Sequence, residues 1–330
     1  MPDPKLDDMQ RELLETLDTI ESRRAEWVEY ARGLAAGLVG LWQRRVRQTA
    51  ARLSAQSQEI HRMVATASPV AVAGWDASVW KSNVPAPDLL SDVRIGRLTD
   101  PEAESLSPAA SLDAPLMVPL LGARGPLVLT CEAASAATVR AAISSLLLRI
   151  AFGVPGAAFT LLSPVERERG FAVRRHLRDV RDATASPGRT LLDISAEVAR
   201  IHRESLLEAD SVLDLEPSAR PERCFEFIVV ADYPHGYRDD PELASAVASL
   251  AVSGPPAGRY LVIEQRTDHA EPRGLRVQSL DHATVVPAGQ PSVWGLKLAL
   301  DAPPGDDRMR SLFEHVQPQP RGRPTMIGLT

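Results

Sequence analysis

Phe225-Glu-Phe-Ile-Val-Val-Ala-Asp-Tyr-Pro234 is the stretch whose reading decides the fold. A strand with one face in water alternates apolar and polar residues, and Phe227-Ile-Val-Val-Ala231 does not alternate. An unbroken apolar run belongs to a strand covered on both faces, as in a parallel sheet flanked by helices. Working outward, the pattern predicts further strands over 117–121, 126–131, 157–162, 260–264 and 293–298. Helical patterns fall between and after them, near 138–152, 193–210, 240–252 and 307–316. This alternation predicts an α/β fold with a mostly parallel, doubly covered sheet.

Parallel sheets of this kind bind ligands at the carboxyl ends of their strands, so the turns there carry the chemistry. A phosphate-binding turn needs G-x-x-x-x-G-K-[ST], with backbone N–H groups to cradle phosphates, a lysine to neutralise them and a hydroxyl for Mg²⁺. The place for it follows the strand Pro126-Leu-Val-Leu-Thr-Cys131, where the chain reads Glu132-Ala-Ala-Ser-Ala-Ala-Thr138. That turn has no glycine, and Glu132 stands where a phosphate would sit. Ser135 and Thr138 are its remaining hydroxyls. The chain's three lysines lie elsewhere: Lys5 in the leading helix, Lys81 after Trp80, and Lys297 within 294–298. Asp232 ends its strand in the Walker-B form, which holds Mg²⁺, but Tyr233 follows where a water-orienting glutamate belongs. The nucleotide-binding positions are therefore degenerate at Glu132, Ser135, Thr138 and Asp232. No catalytic residue, metal ligand or cofactor is expected. Asp232 is expected to hydrogen-bond the turn from Pro234 to Gly236.

At 330 residues and 44% hydrophobic content, the chain can bury a large core. Cys131 and Cys224 allow neither a disulfide framework nor a zinc site, which points to a reducing cytoplasm. The acidic start is not a signal peptide, and the longest apolar run, 33–42, is about half a membrane span. A net charge of −6 argues against bulk coating of nucleic acid. The 34 arginines and 27 prolines read as genomic composition bias.

Residues 1–66 read as a long helical, coiled-coil arm, with Leu6, Leu13, Ile20, Trp27, Leu34, Leu38 and Leu41 among its apolar positions. Residues 1–32 carry nine acids and five bases, whereas 43–62 carry Arg44, Arg45, Arg47, Arg52 and Arg62 against Glu59. Arg44, Arg45, Arg47 and Arg52 are the candidates for a weak nucleic-acid contact, although such charge runs are commonly solvated helix faces. Residues 67–114 read as an irregular connector that packs Trp75 and Trp80 onto the next domain, with 93–98 as an edge strand. Residues 115–330 form the α/β domain.

Five segments in order carry a family resemblance: 93–98, 119–127, 147–156, 229–236 and 300–304, the fourth reading Val-Val-Ala-Asp-Tyr-Pro-His-Gly236. Over about residues 65–330 the chain resembles the first half of actinobacterial FtsK/SpoIIIE-type, HerA-related P-loop ATPases. The resemblance implies a degenerate, RecA-like first ATPase module behind a helical region, acting as a structural or regulatory subunit of a DNA-translocase-type assembly. Partners implied are further copies of the chain or an intact ATPase of that type, with no membrane span. Two departures stand out. Ser163 replaces the family's aspartate after the second strand, and the segment between Asp193 and Phe225 is short. A coiled-coil scaffold and an ATPase completed by another chain remain the alternatives.

Two other candidates carry less. Cys131, between strand and helix, has the placement of a nucleophile elbow, but no partner histidine and acid are identifiable and Glu132 adjoins it, so it reads as a buried small hydrophobe. His235, separated from Asp232 by Tyr233 and Pro234, reads as a turn residue and not a metal ligand.

Overall fold

The computed structural model describes residues 19–35, scattered positions from 37 to 62, and 69–315. Within 69–315 it leaves out 78–79, 81–90, 100–112, 164–170, 184–185, 222, 236, 238–239, 271–279, 281, 291 and 294–295. Residues 19–35 form helix α1, with every side chain exposed, and the described positions from 37 to 62 are helical too and are taken with α1; the arm's predicted seam before Ile20 lies outside the described residues. A single turn, α2, follows at Pro69–Val72.

Six strands run parallel in the order β5-β4-β6-β7-β3-β8. They are β3 (Leu127–Cys131), β4 (Ala158–Leu162), β5 (Val180–Asp182), β6 (Glu226–Tyr233), β7 (Arg259–Arg266) and β8 (Thr284–Val286). Every residue of β3, β4 and β6 is buried, as their unbroken apolar runs require. The edge strands β5 and β8 have three residues each, too few to carry a readable period.

A second, antiparallel sheet has the order β2-β1-β10-β9, with β1 at Asp92–Thr99, β2 at Asp113–Pro119, β9 at Ser292–Val293 and β10 at Leu296–Leu300. The segment expected as an edge strand, 93–98, is thus an inner strand of this sheet, paired with β2 on one side and β10 on the other. Sequence alone could not pair β1 with β10, since about two hundred residues separate them.

Four further helices surround or join these sheets: α3 (Ala136–Gly153), α4 (Pro187–Glu204), α5 (Pro241–Ser253) and α6 (Asp306–His315). Helix α3 buries Ile143, Leu146, Leu147, Leu148 and Ile150, with no polar stripe along its length. It packs against β3 and β7 of one sheet and β1 and β10 of the other, so nearly all of its surface needs an apolar partner. By length and composition α3 would cross a membrane, but 67% of that window is buried in the core. Helix α4 buries Leu191, Ile194, Val198 and Ile201, one stripe at helical spacing. Helix α5 starts at Asp240, whose side chain accepts from the Leu243 N–H at 3.0 Å, followed by Pro241 in the first turn.

Charged residues tie the antiparallel sheet to α3. Asp301, just after β10, takes Arg94 of β1 (Nε to Oδ2, 2.8 Å) and Arg149 of α3 (Nη2 to Oδ2, 3.1 Å). Arg94 Nη2 also bonds Asp301 Oδ1 at 2.9 Å, and Nη1 of Arg94 and of Arg149 reach the carbonyls of Val72 (3.2 Å) and Ala73 (2.8 Å). The Arg149 guanidinium lies 4.6 Å from the centre of the Trp75 ring, and Trp75 donates to Ser145 Oγ at 2.9 Å. Burial lowers the Arg149 pKa to about 10. Trp75 and Trp80 therefore pack as expected, and they also cover a buried charge.

Candidate functional site

The carboxyl ends of β3, β6 and β7 meet beside the start of α3, where the topology would place a nucleotide. The turn from β3 into α3 spans only Glu132–Ser135. Its free N–H groups are partly consumed within it: Ser135 Oγ accepts from the Glu132 N–H at 3.2 Å, and the Ser135 N–H donates to the Glu132 carbonyl at 3.1 Å. The loop after β8 closes on the same turn. Gly289 donates to the Thr130 carbonyl at 2.8 Å, and a Cβ there would stand 2.7 Å from Ser135 Oγ and 3.0 Å from Cys131 Cα. Glu132 and Thr138 are exposed, and Ser135 is half-buried beneath that loop.

Asp232 is placed differently from the sequence expectation. It sits in the left-handed region, with φ of +56°, where the β6–β7 register shifts between Val230 and Tyr233. Aspartate tolerates that region better than most residues. Its buried carboxylate makes contacts with arginines where a bond to the Pro234–Gly236 turn was expected. Arg140 Nη2 of α3 lies 2.7 Å from Oδ2, an ionic contact without hydrogen-bond alignment, and Arg266 Nη1 bonds Oδ1 at 3.3 Å. Arg140 Nε also reaches both oxygens of Glu264 at 3.1 Å, and Glu264 has no solvent exposure. Arg266 continues to Asp268 through two bonds of 2.9 and 2.8 Å.

A guanidinium thus bridges the Walker-B-type aspartate and a second buried carboxylate. Burial raises the Glu264 pKa and Arg140 opposes it, whereas the Arg266 hydrogen bonds pull Asp268 down to about 2. Arg140, Glu264, Arg266 and Gly289 were not singled out from the sequence. A signal for two of them was present. Arg140 follows Val139 in an apolar helix and Glu264 follows Val262-Ile in an apolar strand, and a charge buried in such surroundings requires a partner.

Cys131 ends β3 under the same turn, and burial first, then the Glu264 charge, pushes its thiol up to about 12. A thiol so placed is almost wholly protonated at neutral pH, which matches its reading as a small hydrophobe. Iodoacetamide at about pH 8 is therefore expected to label half-buried Cys224 first and leave Cys131 untouched in the folded chain. Peptide mapping showing equal labelling would contradict this. His235 is exposed and stacks on His269 at 4.7 Å between ring centres. Among the described residues, no three histidine, cysteine or acidic side chains group as metal ligands. Arg44, Arg45 and Arg52 are exposed helical residues remote in sequence from this edge, and Arg47 lies outside the described residues.

No family profile matches the sequence, and no curated protein matches it. Solved structures do. ATPases 2 and 3 of EssC from Geobacillus thermodenitrificans match with a TM-score of 0.50 at 14% identity, over 72% of this chain and 51% of theirs. ATPases 2 and 3 of Thermomonospora curvata EccC, in complex with a signal sequence peptide, match with a TM-score of 0.47 at 15% identity, over 68% and 46%. The cytoplasmic domain of the Thermomonospora curvata type VII secretion ATPase EccC gives 0.48 at 15% identity, over 73% and 33%. The chain spans about half the length of the EssC chain. The likeness to EssC is one of fold, a RecA-like α/β core with a parallel sheet, which is the fold the sequence resemblance implied.

Proposed function

We propose that the α/β domain is a catalytically inert ATPase-like module, serving as a structural or regulatory subunit of an FtsK/HerA-type assembly. One observation carries this reading. Arg140 bridges Asp232 and Glu264, so an internal cation occupies the carboxylates that a metal and its nucleotide would otherwise use. The short Glu132–Ser135 turn, closed by Gly289, supports the same conclusion from the phosphate side. A ring subunit can lose hydrolysis and keep its contact surfaces, because the two depend on different residues. The natural partners of such a subunit are an intact ATPase of that type or further copies of this chain. The second reading, a coiled-coil scaffold, draws on the exposed apolar residues of α1, and the arm has work under either.

The test is calorimetry of the full chain with ATP and Mg²⁺. With no lysine and a carboxylate at the turn, about three nucleotide charges would go uncompensated, and binding weaker than about 1 mM is expected, near −4 kcal/mol. A low-micromolar dissociation constant with turnover of phosphate would overturn the reading and favour a true ATPase.

A further inference from the structure

We propose that the apolar seam of α1 is the docking surface for a second copy of this chain, paired antiparallel. This pairing is independent of the nucleotide reading above. Ile20, Trp27, Leu34 and Leu41 recur at every seventh position and are 56, 70, 51 and 58% exposed, with Leu38 at 64% and Trp42 at 66% beside them. A seven-residue period matches the supercoil of two helices, whereas a helix lying on a globular surface follows the 3.6 period. Large apolar side chains in one continuous line are not left in water without a partner. A helix with the same period and the same seam is supplied by another copy of the chain.

Charge decides the orientation. The second line of the seam runs Arg24, Ala31, Leu38, Arg45. In a parallel, in-register pair each residue of that line meets itself, so Arg24 would face Arg24 and Arg45 would face Arg45 of the copy. In an antiparallel pair this line faces the other one, so each arginine lies over apolar side chains with its long stem packed and its head in water. The basic part of the arm gives the same answer, since Arg44, Arg45, Arg52 and Arg62, with only Glu59 among them, would face themselves in a parallel pair.

The experiment uses the full chain carrying Cys131→Ala, Cys224→Ser and Ser22→Cys, with a spin label at position 22. Light scattering should give a dimer. A crossing near residue 32 places the two labels about 30 Å apart, from 1.5 Å of rise per residue on each helix, against about 10 Å for a parallel pair. The variant Leu34→Glu with Leu38→Glu should be a monomer with an unchanged denaturation midpoint of the α/β domain. A wild-type monomer, a short label distance, or a dimer that survives both glutamates would each overturn the proposal. A monomer that sediments with anionic vesicles or binds duplex DNA through α1 would overturn it too, and would assign the face to that ligand.

Discussion

Replacing Arg140 by alanine is expected to destabilise the folded chain by about 3–5 kcal/mol, because it strands Asp232 and Glu264 as buried carboxylates without their shared cation. The loss should depend on pH with a definite sign. Glu264 is already held above the ordinary glutamate range by burial, and Arg140 is the largest influence opposing that rise. A carboxyl whose folded value is raised favours the fold in its neutral form. Its contribution is present in full below the ordinary glutamate range and is lost as pH rises through the raised value. Without Arg140 that value climbs further, so the deficit of the variant should be smaller near pH 5 than near pH 8. Urea denaturation at the two pH values reads this directly. Arg140→Lys, which keeps the charge and gives up the two-sided fork, should recover part of the loss. A variant as stable as the parent at both pH values would mean that the guanidinium does not neutralise this site.

Asp301→Ala is expected to have an effect of similar size, at least about 3–5 kcal/mol, since it leaves Arg94 and Arg149 without their common carboxylate. Arg149 has no solvent exposure and Arg94 is 8% exposed, so neither can recover hydration without the surrounding structure opening. The break falls where the small sheet meets α3. Tryptophan fluorescence should therefore shift to the red as Trp75 and Trp80 lose their cover, at denaturant concentrations below those that unfold the large sheet. Coincident transitions at the parent's midpoint would show that Asp301 does not hold the small sheet to α3.

The parallel sheet was legible because burial on both faces imposes its own composition. Runs such as Phe227-Ile-Val-Val-Ala231 and Leu127-Val-Leu129 have few other stable placements, and α3, α5 and α6 fall within about two residues of the helical patterns, whereas α4 lies about six residues earlier than its pattern. The turn's lack of glycine and lysine was equally legible, because it is a fact of the sequence itself. The short strands β5 and β8 were invisible, since three residues carry no period.

What only the tertiary structure decided was the pairing of charges. The sequence contains Arg140, Asp232, Glu264 and Arg266 as separate residues in an α3–β6–β7 order, and their meeting depends on β7 lying between β6 and β3. The same holds for Arg94, Arg149 and Asp301, which span more than two hundred positions. Apolar burial is written residue by residue, because each side chain carries its own transfer free energy and period. An ion pair has no local signature of that kind. Its energy depends on the distance between two groups and on how far both are removed from water, and chain topology alone sets these.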